Sequence, residues 1–124
     1  MLDIQIRNFI RAADEWNSNL KKVNLNNPVF VRQMNDLMIG FERIFIKPEG
    51  LDERAQIRHV LYAPFKYDTY SKGAFPGVKD LMYKISHSND KNQIEHNLKL
   101  LRKHLSDVAL IIKSAARFLT GRTF

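Results

Sequence analysis

The chain has 124 residues, of which 44% are hydrophobic and 27% charged, a composition typical of globular domains and not of disordered chains. Basic residues outnumber acidic ones by 20 to 13, and the absence of cysteine excludes disulfides, cysteine nucleophiles and thiolate metal sites. No apolar run approaches the roughly 18 residues that a membrane-spanning helix needs. The length of the chain predicts a single compact domain over residues 1–124.

Apolar residues recur every three or four positions in the first two segments, which predicts two helices. The first stripe consists of Leu2, Ile6, Phe9, Ala13, Trp16 and Leu20. Asn27 before Pro28 is typical of a helix start, and the second stripe consists of Phe30, Met34, Leu37, Phe41 and Ile44. This helix is predicted to end near Phe45, because Pro48 and Gly50 cannot continue it.

Periodicity is lost between Lys47 and Gly77, which predicts a long ordered loop rich in proline and aromatic residues. Within it, the run from Gln56 to Tyr62 fits either extended backbone or a single helical turn. The helical pattern resumes at Pro76 or Gly77 and ends at His87, with the apolar residues Val78, Leu81, Met82 and Ile85.

The last helix is the longest, with caps offered by residues 88–90 and Gly121 at the C-cap position. Its stripe consists of Ile94, Leu98, Leu101, Leu105, Val108, Ile112, Ala115 and Leu119. A second apolar set lies off this stripe and consists of Leu100, Leu110, Ile111 and Phe118. A helix that is apolar on two sides is either central in its bundle or contacts another domain or subunit. The predicted fold is an all-α bundle of four main helices with a long ordered loop between helices 2 and 3.

No self-contained catalytic group is evident. His96 and His104 lie about two turns apart, too far to share one zinc ion, and the pattern favours solvent-facing positions for these and for His59 and His87. Residues 91–124 hold seven basic and two acidic residues, which suggests an alternative function as a stand-alone basic helical module for nucleic acid or an acidic membrane surface. Without a run of five basic residues, a solvated helix face is favoured over binding to nucleic acid or direct membrane contact.

Several motifs occur in a specific order, namely Asn35-Asp36, residues 41–51 (FERIFIKPEGL), residues 58–64 (RHVLYAP) and Phe75-Pro76-Gly77. In this order and spacing they resemble the C-terminal helical domain of the glutamate carboxypeptidases, which is the dimerisation domain of the transferrin receptor. The resemblance implies a non-catalytic assembly domain, the C-terminal part of a larger protein that forms a homodimer. Its other implied partners are the parent's own protease-like and apical domains.

The resemblance also implies where chemistry would reside. Two zinc ions and the catalytic base would belong to the parent's protease-like domain, so no cofactor, metal ligand or catalytic residue is expected in this chain. Whether the parent is an active zinc-dependent carboxypeptidase or an inactive relative stays open. A location on the outer side of a membrane-anchored parent is suggested by the resemblance alone.

In active members of that family the long loop reaches the substrate pocket, where a Lys-Tyr pair binds the carboxylate of a terminal glutamate. The matching positions here are Thr69 and Tyr70. Tyr70 retains a hydrogen-bond donor, whereas Thr69 has no charge, so the resemblance implies an altered specificity or an inactive relative. The neighbouring Lys66 and Lys72 are alternative sources of positive charge.

The other motif residues are expected to anchor the loop: Arg58, His59, Tyr62, Pro64, Phe75, Pro76 and Gly77. For the Arg58 side chain, Glu42 and Asp36 are the predicted partners.

Overall fold

Four helices dominate the described part of the chain, as the apolar spacing predicts. The computed structural model describes residues 2–22, 26–64, 66 and 72–120. In chain order the elements are α1 (Leu2–Leu20), α2 (Pro28–Arg43), β1 (Tyr62–Pro64), β2 (Lys72–Ala74), α3 (Pro76–Ser86) and α4 (Lys91–Leu119). The predicted all-α class, with a long loop between the second and third helices, is confirmed. That loop also contains an antiparallel hairpin of β1 and β2, which was not predicted.

The predicted start of α2 is confirmed by its capping contacts. Asn27 Oδ1 accepts hydrogen bonds from the N–H groups of Val29 (3.1 Å) and Phe30 (3.4 Å), and Pro28 opens the helix. These bonds satisfy two donors that the first turn of a helix leaves without an intrahelical partner. The predicted C-cap of α4, Gly121, lies outside the described residues.

The residues form two compact units. Unit 1 comprises Met1–Ile44 and Ala109–Phe124, and unit 2 comprises Phe45–Val108. Because the boundary falls within α4, this helix supplies residues to both units.

The core of unit 1 is built largely from the stripes predicted for α1, α2 and the end of α4. Its buried members are Ala12, Trp16, Met34, Ala116 and Leu119. Half-buried rings pack against them, with Phe9 stacked on Phe41 (centroids 6.2 Å apart) and Phe41 tilted against Phe118 (6.1 Å). Such aromatic pairs stabilise a core by about 0.5–1.5 kcal/mol beyond the area they bury. Phe118, which lies off the predicted stripe, is thus part of the core's edge.

Unit 2 buries polar side chains among its apolar ones. The buried apolar residues are Phe45, Leu51, Val60, Leu81 and Val108. Asp80 (3% exposed), Asn97 and His104 (4% exposed) are buried with them. The prediction that the histidines face solvent is therefore wrong for His104, while His87 and His96 are exposed. Buried polar groups normally have hydrogen-bond partners, so these residues require specific contacts.

The predicted apolar faces of α3 and α4 are wrong at two positions in unit 2. Met82 is 56% exposed and Leu98 is 36% exposed, whereas Asp80 and Asn97 are buried. One position along a helix turns a side chain by about 100°. In unit 2 the buried faces of α3 and α4 therefore combine stripe residues such as Leu81 and Val108 with the polar Asp80 and Asn97.

Candidate functional site

The hairpin in the long loop brings two of the sequence motifs together. Tyr62–Pro64 forms β1, and Phe75–Gly77 directly follows β2. The register places Tyr62 opposite Ala74, Ala63 opposite Gly73 and Pro64 opposite Lys72. The Phe75 N–H then donates a hydrogen bond to the Leu61 carbonyl (2.9 Å), which continues the pairing to the start of α3. The predicted loop anchors Tyr62, Pro64 and Phe75 therefore lie along one backbone ladder.

His59 connects the hairpin to the beginning of the loop. Its backbone forms an antiparallel bridge with Ile46, so the extended alternative for this part of residues 56–62 is the one observed. His59 Nδ1 accepts a hydrogen bond from the Leu61 N–H (3.2 Å), and the ring stacks on the buried Phe45 with centroids 5.8 Å apart. Because the ring is used in packing and in a backbone contact, this geometry is that of a structural histidine.

Arg58 contributes to the same segment through its backbone. Its carbonyl accepts a hydrogen bond from the Lys47 N–H (2.7 Å), and the residue is exposed. The pairing of its side chain with Glu42 or Asp36 stays a prediction.

Asp80 on α3 binds the loop at two points. Its Oδ2 lies 2.5 Å from Arg54 Nη2, and its Oδ1 accepts a hydrogen bond from the Lys66 N–H (2.9 Å). The Arg54 side chain is only 11% exposed, so this ion pair is largely removed from water. Sequence reasoning missed both residues. The only signal in the sequence is an acidic residue directly beside Leu81 on a short apolar helix.

A more exposed set of ion pairs lies beside this contact. Lys84 Nζ is 2.9 Å from Asp52 Oδ2 and 3.2 Å from Glu53 Oε1, and Lys66 Nζ also pairs with Glu53. Hydrogen bonds from Lys66 and Lys84 hold the pKa of Glu53 below its usual value. Since Glu53 is exposed, solvent screens these charges, and such pairs stabilise a fold by at most about 1 kcal/mol.

The Phe75-Pro76-Gly77 motif has a distinct physical role at each residue. Phe75 has φ +59° and ψ +56°, a left-handed conformation that reverses the chain before α3. Pro76 is the first residue of α3, where a missing N–H costs nothing. Gly77 is buried against His104 of α4, since a Cβ there would lie 2.5 Å from His104 Nε2. The motif therefore allows α3 to start at the hairpin and to pack closely on α4.

The sequence model of the transferrin receptor-like dimerisation domain matches residues 1–120. The chain belongs to this family. The resemblance drawn from the ordered motifs is thereby confirmed.

Relatives of this dimerisation domain are longer proteins. A probable glutamate carboxypeptidase, LAMP1 of Arabidopsis thaliana, is 26% identical over 119 residues, which cover 90% of this chain and 18% of the relative. The aminopeptidase NAALADL1 of Mus musculus is 28% identical over 113 residues, covering 90% of this chain and 14% of the relative. A second probable glutamate carboxypeptidase, VP8 of Zea mays, is 36% identical over 62 residues, or 50% of this chain and 9% of the relative. The chain thus spans less than a fifth of the length of these relatives.

The two positions predicted to contact substrate, Thr69 and Tyr70, lie outside the described residues of the dimerisation domain. In sequence they fall between the paired strands β1 and β2. Among the residues that are described, no three His, Asp or Glu side chains are grouped so that they could hold a metal ion. No helix within the described part of the chain is long and apolar enough to cross a membrane.

Proposed function

We propose that this dimerisation domain joins two copies of a longer glutamate carboxypeptidase-like protein, and that it packs on a peptidase-like domain of that protein. The observation that carries the proposal is the family match, which extends over residues 1–120 and therefore over the whole described fold. Two of the relatives are described as probable glutamate carboxypeptidases and one as an aminopeptidase, which supports a peptidase-like parent.

Exposed apolar side chains support an assembly role. Each of the four helices exposes large apolar residues, which include Ile10 on α1, Ile39 on α2, Met82 on α3 and Leu110 on α4. Leu110 belongs to the second apolar set predicted for the last helix and is 64% exposed. Of the same set, Phe118 packs in unit 1 and Leu100 and Ile111 are half-buried. Apolar side chains that a fold leaves in water gain free energy when another domain or subunit covers them.

Two differently tagged copies of the longer protein test the proposal when they are expressed together. We expect each tag to recover the other copy, because the domain holds the two chains together. Deletion of residues 1–124 from both copies should abolish the recovery. Equal recovery after the deletion would show that another part of the protein joins the copies, and would contradict the proposal.

We further propose that the segment between β1 and β2 contributes Thr69 and Tyr70 to the substrate pocket of the peptidase-like domain. The paired backbones of Pro64 and Lys72 support this, because they fix the two ends of that segment relative to each other. Loops held at both ends by a rigid scaffold are common carriers of binding residues.

Replacing Thr69 by lysine tests this contribution. We expect Thr69→Lys in the longer protein to strengthen binding of a peptide with a C-terminal glutamate by roughly 10- to 100-fold, since a charge-assisted hydrogen bond adds about 1.5–3 kcal/mol. Calorimetry with peptides ending in glutamate or alanine measures the preference whether or not the parent is active. The matched control is Ser106→Lys, at an exposed position of α4. An equal gain in affinity for both variants would show that the loop does not contribute to the pocket.

A further inference from the structure

His104 is a buried histidine with a lysine ammonium beside one of its ring nitrogens. The residue is 4% exposed and lies beside a cavity of about 270 Å³ in unit 2. Gly77 and Leu81 of α3 line this cavity together with Lys47 and Leu51 of the long loop. Of the candidate site residues predicted from sequence, Gly77 packs against the imidazole, and this contact gives the ring no chemical role.

The two ring nitrogens of His104 have different environments. Nδ1 lies 3.4 Å from Lys47 Nζ. A lysine ammonium is only a donor, so Nδ1 is the acceptor of this pair and the ring proton resides on Nε2. Nε2 is buried, without a hydrogen-bond partner among the described residues, and it faces Gly77. A second proton would have to enter at Nδ1, in the place that the Lys47 ammonium occupies.

Charges of both signs surround the ring of His104. Lys47 and Lys103 are the nearby cations, and both pair with Asp107, at 3.0 Å and 3.1 Å. The carboxylates of Asp107 and of the loop residue Asp52 favour the protonated ring. Glu49 also lines the cavity. The residues of α3 that line it, Gly77 and Leu81, are uncharged. Burial of the ring, with Lys47 next, lowers the pKa of His104 below its usual value. The neutral imidazole is therefore favoured more strongly in the folded chain than in the unfolded chain.

We propose that His104 is an acid-sensitive contact, and that its protonation weakens the packing of the first turn of α3 on α4. Because Gly77 lies against the ring and Phe75 is hydrogen-bonded to Leu61, a displaced first turn also loosens the start of the hairpin ladder. This acid-sensitive contact lies within unit 2. It is a property beyond the proposed assembly role and does not depend on that role.

The direction of the pH effect follows from proton linkage. A histidine in an unfolded chain binds its second ring proton at about pH 6.5, whereas His104 in the folded chain binds this proton only at lower pH. The stability contributed by neutral His104 is therefore complete above about pH 6.5 and decreases as the pH falls from there towards the lowered native pKa.

Hydrogen exchange of the full 124-residue chain, together with NMR titration of its histidine rings, tests the proposal. We expect the His104 ring to titrate at lower pH in the folded chain than in the urea-unfolded chain. We also expect the protection factors of the Phe75 and Lys79 amides, which donate to the carbonyls of Leu61 and Phe75, to fall several-fold between pH 7.5 and about pH 5. His104→Gln should remove this fall, and His96→Gln, the matched control on the same helix, should retain it.

A second variant keeps the test decisive if His104→Gln does not fold. Lys47→Met removes the ammonium beside Nδ1, so the His104 ring should titrate at higher pH than in the wild type. The several-fold fall in amide protection factors should then also occur at higher pH. Titration of the folded His104 ring at or above the pH at which it titrates in the urea-unfolded chain would overturn the proposal. An unchanged α3 protection while the ring takes up its proton would overturn it equally.

Discussion

Replacing Asp80 by asparagine is expected to lower the free energy of unfolding by about 3–5 kcal/mol. The substitution keeps the shape of the side chain and an acceptor for the Lys66 N–H, but it removes the charge that lies 2.5 Å from Arg54 Nη2. The guanidinium is then left largely buried without its carboxylate. Removing one partner of a buried pair costs far more than the pair itself contributes, because the remaining charge cannot regain its water.

Urea unfolding of the two proteins measures this difference. The control is Asp14→Asn on the exposed surface of α1, for which a change below about 0.5 kcal/mol is expected. If Asp80→Asn were as stable as Asp14→Asn, the contact between α3 and the long loop would not stabilise this fold.

Replacing Gly77 by alanine is expected to destabilise the chain by about 1–2 kcal/mol, although alanine is the better helix former. The new Cβ would lie 2.5 Å from His104 Nε2 and 2.8 Å from Cε1, with Leu51 Cδ2 at 3.1 Å. The ring of His104 is buried and cannot turn away into solvent. The overpacking therefore outweighs the gain of about 1 kcal/mol in helix propensity.

Gly40 on α2 provides the matched comparison for Gly77. A Cβ at Gly40 would meet the ring of Phe118, with Cζ at 3.5 Å and Cε2 at 3.8 Å, which are ordinary contacts. Gly40→Ala should therefore leave the melting temperature unchanged or raise it, whereas Gly77→Ala should lower it. A Gly77→Ala protein at least as stable as the Gly40→Ala protein would show that α3 and α4 are not in close contact at this point.

The helices are predictable from sequence because their signals are local. The stripe containing Phe9 and Trp16 follows the helical repeat, and Asn27 caps α2 through neighbours two and three residues away. The order of the motifs identifies the family, since Phe75-Pro76-Gly77 and the segment ending in Pro64 occur at specific positions.

The contacts that fix the loop are not predictable in the same way, because they join distant parts of the chain. Asp80 is separated from Arg54 by 26 residues, and Lys47 from His104 by 57. Periodicity assigns polar residues such as Asp80 and His104 to the surface, since it contains no information on a distant partner. Met82 and Leu98 were placed in the core for the same reason, because the stripe shows only that a side chain is apolar.

The most direct test of the assembly role is the molar mass, in solution, of the longer protein that we propose contains this domain. Light scattering after size-exclusion chromatography should give twice the mass of one chain at micromolar concentration, with weaker association for the isolated 124-residue domain, which lacks the other domains. A single-chain mass for the longer protein at micromolar concentration would contradict the assignment of this domain to dimerisation.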